Sequence, residues 1–429
     1  MRYQVHQLKL DNGAEGLVVD IPNAVSVYSM LNFAGGRAAL ADLKHKDQVP
    51  RLLTRLATEV VGYKDNEFYN ALTRNGASLD AYGGNTCVEY SVKCPRFDAE
   101  RTLDLIAKSL EQPDIDASNL AREKKSLRSK LKSLTTNGDE LIINHTLAHF
   151  GYPRLSPQES LATLDGITPE DIQEYRTQNF TTDNLRFIIA GDFNGDLTVV
   201  DRLRQLDLPR GKRFKYNLPT VEDDTKYYFE TQPHIKTITS GLGFALRRPL
   251  TIRDSLICDI IRYLLFVSRS SHVFGIAHNN GWSSYVTAIK LDYYSNITLP
   301  LGVIFKSSAN NLTNMIQLIS QALKELGQGE LPEVETELEH IKCKMIGKKL
   351  MAYETPKDIT DALYIRYFAT GEVVDLNTAP EVIKSITLGD IQQLARELTS
   401  SPLRMVGLFG DITEADAATA AATLDSALK

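Results

Sequence analysis

Two histidines four residues apart, His145 and His149, follow Asp139 and Glu140 in a stretch with helical spacing. On a helix such a pair shares a face and can offer two imidazole nitrogens to a divalent metal. A hydrolytic site would also need a base between them, and Ala148 holds that place, so a surface or core pair is the simpler reading. Arg51 and Arg55 repeat the spacing around Leu52, Leu53 and Thr54. A charged guanidinium has no lone pair to give a metal. Leu52, Leu53, Leu56 and Val60 are expected to form the apolar face of a helix over residues 51–60, with both arginines solvated. The remaining histidines, His6, His45, His234, His272, His278 and His340, are scattered. Cys87, Cys94, Cys258 and Cys343 form no C-x-x-C and are expected to be buried thiols in a reducing compartment. No Ser/His/Asp order, phosphate loop or dinucleotide glycine pattern is present, and Gly83-Gly84 reads as a strand turn.

The chain that must position these residues has 429 of them, enough for about two to three domains. Its 43% hydrophobic and 24% charged content and mean hydropathy of -0.21 are those of a soluble globular protein. A net charge of -6, with both signs interleaved, argues against nucleic acid as a partner. The start, Met1 to His6, lacks the apolar core of a signal peptide, and no apolar run reaches membrane length. The expected location is cytoplasmic, with no membrane partner.

The halves resemble each other. Ile167-Thr168-Pro169-Glu170-Asp171-Ile172-Gln173 leads to a strand-like run, 185–190, closed by Gly191-Asp192. Ile386-Thr387-Leu388-Gly389-Asp390-Ile391-Gln392 leads likewise to 403–409 and Gly410-Asp411. In both, a Thr N-cap with an acidic residue three positions on starts a helix, and an apolar strand follows it. The first half reads as strands at 7–11, 16–20 and 25–33, helices at 51–60 and 67–75, strands at 79–82 and 88–94, and helices at 99–110 and 119–132. The second half repeats the order: strands at 227–230 and 236–244, a helix at 252–267, strands at 284–290 and 297–304, and helices at 311–326 and 333–352. An Ala-rich helix at 414–428 closes the chain. This order predicts an α+β protein of two tandem homologous domains, each a mostly antiparallel sheet with helices on one face. The expected boundaries are 1–206 and 226–429. Between them, 207–225 is a linker marked by Pro209, Gly211 and Pro219 and by mixed charge.

The layout is similar to that of the M16 family of zinc peptidases, which includes pitrilysin-like enzymes and the mitochondrial processing peptidases. Leu10-Asp11-Asn12-Gly13 resembles the family's L-x-N-G, and Gly35-Gly36-Arg37 its G-x-R. Leu79-Asp80-Ala81-Tyr82-Gly83 resembles L-N-A-Y-T, and Phe180-Thr181-Thr182-Asp183-Asn184 the closing Y-T-x-D-N. The resemblance covers almost the whole chain and implies the LuxS-like metallohydrolase fold.

What the resemblance implies about the site is loss. The family's H-x-x-E-H falls on Arg51-Leu52-Leu53-Thr54-Arg55, so arginines stand where both His ligands belong and Thr54 where the base belongs. The third ligand, a distant Glu, falls on Lys130, seven residues after Glu123. A dication about 4 Å from one guanidinium is repelled by roughly 8 kcal/mol at an effective dielectric near 20. Zinc binding is therefore expected to be lost, with no other cofactor implied. In the second domain, the family's substrate-steadying Arg and Tyr fall on Ala277 and Ser284. Tyr285 could replace the Tyr only if the strand register slipped by one.

The implied function is that of a non-catalytic M16-like protein, an inactive partner of an active zinc subunit. Residues Leu79, Asp80, Ala81 and Tyr82 are the candidate contacts for an extended peptide added as a strand. The alternatives are a structural or peptide-binding homodimer, in which Arg51, Arg55 and Lys130 could grip a carboxylate if they converge, and a peptidase with displaced ligands.

Overall fold

The central strands of the protein run buried from end to end, and this decides the architecture. The structure, a computed structural model, describes all residues except 1–2, 65, 217–220, 222–223 and 292–297. Met1, Arg2, Pro219, Glu222 and the expected strand start at 297 therefore lie outside the described residues. Among the described residues eleven strands form two sheets: β1 (Gln4–Lys9), β2 (Glu15–Asp20), β3 (Ser26–Ala34), β4 (Ser78–Gly83), β5 (Cys87–Pro95), β6 (Leu185–Gly191), β7 (Thr225–Thr231), β8 (Ile238–Leu246), β9 (Ser283–Leu291), β10 (Thr298–Ser307) and β11 (Arg404–Gly410). The first sheet has the order β1-β2-β6-β3-β5-β4 and the second β7-β11-β8-β10-β9.

Setting β1 aside, the orders coincide strand for strand. In each sheet the last strand pairs parallel with the first of the shared set, β6 with β2 and β11 with β7, and the other pairs are antiparallel. The duplicated Thr caps behave alike too. Thr168 with Asp171 and Thr387 with Asp390 both close reciprocal capping boxes, and Pro169 opens the first of these helices. The fold is the expected α+β one.

Two compact units result, and each is discontinuous in sequence. One comprises Met1–Lys132, Pro153–Asn217 and Met351–Leu376, the other Ser133–Tyr152, Leu218–Leu350 and Asn377–Lys429. The boundaries 1–206 and 226–429 describe the sequence repeat. The units differ from it by two exchanged segments. Each sheet packs helices of its own half on one face, around a large apolar cluster. Its other face is also apolar, because β2, β3, β6, β8 and β11 bury nearly every residue. In the first unit that face, Leu17, Val19, Tyr28, Met30 and Ile188, is covered by the helix Pro356–Thr370 through Ile359, Leu363 and Tyr367. In the second unit the cover is the helix Gly138–His149. Side chains on Gly241 or Gly407 would strike Ile142 at 2.3 and 3.0 Å, so these glycines make the groove it lies in.

Several expected elements shift. The 7–11 strand is β1, ending at Lys9. Leu10-Asp11-Asn12-Gly13 is instead a turn closed by Leu10 N–H on Ala14 O at 2.8 Å, with Gly13 at φ +94°. The 207–225 linker is not free along its length. Arg210 pairs with Asp183, Arg213 donates to Phe368 O at 2.7 Å, and the Tyr216 hydroxyl donates to Thr86 O, all within the first unit. Among the described residues no helix is long and apolar enough to cross a membrane. All four cysteines are free, but only Cys94 and Cys258 are buried; Cys87 is half-buried and Cys343 exposed. Burial pushes the Cys87 thiol up to about 12 and the Cys94 thiol to about 11, so neither is a ready nucleophile.

Candidate functional site

The motif helix is shorter than its sequence suggests and starts earlier. It spans Val49–Arg55, with Pro50 in the first turn where a missing N–H costs nothing. It ends where Leu56 N–H turns back onto Leu52 and Leu53 carbonyls, and Val60 instead bridges to Pro113. Val49, Leu52, Leu53 and Leu56 are buried in the core, as expected. Thr54 is only 4% exposed, and its hydroxyl donates to Arg51 O at 2.9 Å, so it is a helix-internal group rather than a base.

Arg55 reaches the helix Ala117–Leu134. Its Nε donates to Glu123 Oε2 at 2.9 Å, and its Nη2 donates to Ser126. Arg122 extends the pairing, meeting Glu59 at 2.6 Å and Glu123 at 3.6 Å. The expected solvation of Arg55 is thus replaced by an ion-pair network between two helices. Lys130 lies two turns beyond Glu123 and is exposed. The residues brought to Arg55 are Glu123 and Ser126.

Arg51 is different. It is half-buried, and its guanidinium makes no hydrogen bond or ion pair with another described residue. Burial lowers its pKa first, then the Arg37 charge; Tyr82 opposes this, Arg55 adds to it, and Asp47 opposes it. Arg37, 8% exposed, is the neighbour that sequence reading noted in Gly35-Gly36-Arg37 without giving it a role. It donates to Asp47 O at 3.0 Å and Asn85 Oδ1 at 2.8 Å. Asp47, 1% exposed, takes Gln48 Nε2 at 2.5 Å and the Ser160 hydroxyl at 2.7 Å on one oxygen. Gly36 is required here: its φ is +52°, and a Cβ would sit 2.5 Å from Gly84 O.

The sheet edge borders this cluster. Among the described residues β4 pairs only with β5, so its outer rim has no strand partner there. Along it Leu79 and Ala81 turn toward the core, while Ser78, Asp80 and Tyr82 face out. Gly83 meets the motif helix so closely that a Cβ would lie 2.3 Å from Pro50 O.

The other candidates fall elsewhere. His145 stacks on Tyr228, ring centroids 3.4 Å apart, and His149 Nε2 is buried with no partner; burial lowers the His149 pKa. They belong to the covering helix of the second unit and pack there. Ala277 is fully buried in the helix His272–Asn279, its carbonyl accepting Trp282 N–H at 2.8 Å. Ser284 and Tyr285 are both exposed, because the β9–β10 register shifts between Lys306 and Ser307. That bulge brings Tyr285 to the exposed side, under Lys306 Nζ at 5.0 Å from its ring.

Zinc does not fit these residues. Arg51 and Arg55 are cations, Thr54 is spent on its own helix, and Glu123 is paired with two arginines. Among the described residues no three His, Cys, Asp or Glu are grouped to hold a metal ion.

A twice-built α+β unit with a motif helix beside an open sheet edge defines the class, and this chain belongs to the M16 peptidase family. Residues 51–153 match Insulinase (Peptidase family M16), and residues 166–342 match Peptidase M16 inactive domain. Mitochondrial-processing peptidase subunit beta of Dictyostelium discoideum is 21% identical over 79% of this chain and 74% of its own. The uncharacterized zinc protease YmxG of Bacillus subtilis is 22% identical over 77% of this chain and 80% of its own. The crystal structure of a peptidase M16 inactive domain from Pseudomonas fluorescens superposes with a TM-score of 0.82 at 15% identity, covering 95% of this chain and 98% of that one, and shares the fold.

Proposed function

We propose that this chain is a catalytically inactive M16 peptidase-like protein and the non-catalytic subunit of a heterodimeric zinc peptidase. It shapes the chamber of the pair and holds an extended peptide along β4. The observation that carries this reading is the pairing of Arg55, which the family resemblance sets at a metal-ligand position, with Glu123, on a frame whose strand order recurs in both halves. Support for the peptide role comes from the open rim of β4, whose side chains alternate between core and solvent as a pairing strand requires. The names of two relatives, from Dictyostelium discoideum and Arabidopsis thaliana, carry the word subunit, which favours a paired assembly.

The test is reconstitution. The chain is purified alone and with a co-encoded relative that keeps H-x-x-E-H, and cleavage of unfolded peptides is measured. Cleavage by the pair and by neither chain alone is the expected result. A chain that self-associates, binds peptide and never supports cleavage would move the reading to a peptide-binding homodimer.

A further inference from the structure

Among the described residues Arg51 is a half-buried arginine with neither a hydrogen bond nor an ion pair, whereas Arg176 and Arg213 at least hold backbone carbonyls. Of the three arginines at the motif helix, Arg55 has Glu123, and Arg37 has Asn85 and the backbone and carboxylate of Asp47. Arg51 has neither a hydrogen bond nor an ion pair to a described residue. Leaving a charge partly desolvated and unpaired is unfavourable, and it is relieved when an anion arrives.

The place of Arg51 says where that anion would come from. Gly83, the last residue of β4, lies against the backbone of Pro50 and Arg51, and the Arg51 guanidinium feels Tyr82 and Arg37, so Arg51 sits beside the end of the edge strand. Tyr82, 60% exposed, folds its ring over Gly84. The Gly84 carbonyl in turn accepts Arg37 N–H at 3.0 Å. Arg37 also feels the charge of Arg154. Against these cations stands Asp47, buried and already accepting from Gln48 and Ser160. Beside the end of the edge strand stand the cations Arg37, Arg51 and Arg154, with Asp80 and Glu89 further along β4 and β5, and among Arg37, Arg51 and Arg55 the guanidinium without a partner is that of Arg51.

We propose that Arg51, backed by Arg37 and flanked by Tyr82, is a carboxylate-binding site that selects an acidic side chain or a free C-terminus in a peptide lying along β4. This rests on the strand-addition reading above. The guanidinium fork suits a carboxylate by bidentate hydrogen bonding, which a lysine could not reproduce. The members differ from the trio suggested by sequence position: Arg37 replaces Lys130, and Arg55 is withdrawn by Glu123.

The test uses the full chain and short fluorescein-labelled peptides followed by anisotropy: one with a single Glu, its Gln counterpart, each with a free or amidated C-terminus, and the Gln peptide with alternate backbone nitrogens methylated. Wild type is expected to bind a carboxylate-bearing peptide about tenfold tighter than the amidated Gln peptide, which carries none. R51Q and R51A are expected to lose that preference, R51K to keep only part of it, and R55Q to keep it. A preference that follows the Glu assigns the carboxylate to a side chain; one that follows the free terminus assigns it to the C-terminus. Should R51Q unfold, the same preference in wild type must shrink as NaCl is raised. Equal binding of all peptides to wild type, or a preference unchanged in R51Q, overturns the carboxylate site. Binding of the neutral peptide that survives backbone methylation overturns strand addition instead. No binding of any peptide overturns both.

Discussion

Arg55 and Glu123 join two helices across 68 residues of sequence by one hydrogen-bonded ion pair of 2.9 Å. Both side chains keep some solvent contact, so the pair contributes about 1 kcal/mol, and Glu123→Gln is expected to lower stability in urea unfolding by that order. A second residue prediction concerns Glu89 on β5. Burial raises its carboxyl from the ordinary 4.5 to about 7; the Asn32 hydrogen bond opposes this, the Asp361 charge adds to it, and Lys357 opposes it. A carboxyl that holds its proton more tightly when folded favours the fold at low pH. Its contribution is complete below the ordinary value of 4.5 and is lost as the pH rises through about 7. The thermal midpoint of wild type is therefore expected to fall relative to Glu89→Gln across that window, and a constant difference between the two would refute the assignment. At this scale the sequence supplied the candidate positions, because the family resemblance sets its motif on Arg51, Thr54 and Arg55. It told little about the buried network beside it. Asp47 and Ser160 meet across 113 residues, and no local pattern announces such a contact. The Gly35-Gly36-Arg37 motif was the available signal for Arg37.

Elements were legible where their signals are local. The Ala-rich closing helix is found at Glu414–Leu428, as read, because its Thr413–Asp416 capping box and composition lie within it. Likewise β4 and β5 differ from the expected strands by a residue at most at either end. The motif helix was misread at both ends: Pro50 signalled the earlier start, and the apolar Val60 belongs to a β-bridge rather than a helix face. Least legible was which sheet a helix covers. The segment 138–149, whose helical spacing was noted at His145 and His149, belongs by sequence to the first half, yet it lies on the second sheet over Gly241 and Gly407. Gly241→Val would put a branched side chain into Ile142, and we expect a loss of roughly 2 kcal/mol or more by chemical unfolding, from overpacking and a displaced helix. A neutral result would mean that this helix does not seat on that face.

On the scale of the whole molecule, the exchange makes each unit depend on chain from both halves. A fragment of residues 1–217 lacks the helix Pro356–Thr370, and the sheet face of Leu17, Val19, Met30 and Ile188 is then uncovered. Such a fragment is expected to bind a hydrophobic dye and to aggregate, and a peptide of residues 351–376 added in trans should suppress both. The duplicated sheets were foreseeable from the repeat, since order and capping recur in sequence. The exchange was not, because an apolar helix face carries no address. What unites the scales is the proposal that a duplicated M16 frame carries arginines on the helix where the family resemblance sets the metal motif. Zinc stoichiometry of the purified lone chain, by elemental analysis after dialysis against zinc and then buffer, tests this most directly. The account predicts zinc well below one per chain, unchanged by Arg51→Ala or Glu123→Gln. Stoichiometric zinc that either substitution removes would contradict it.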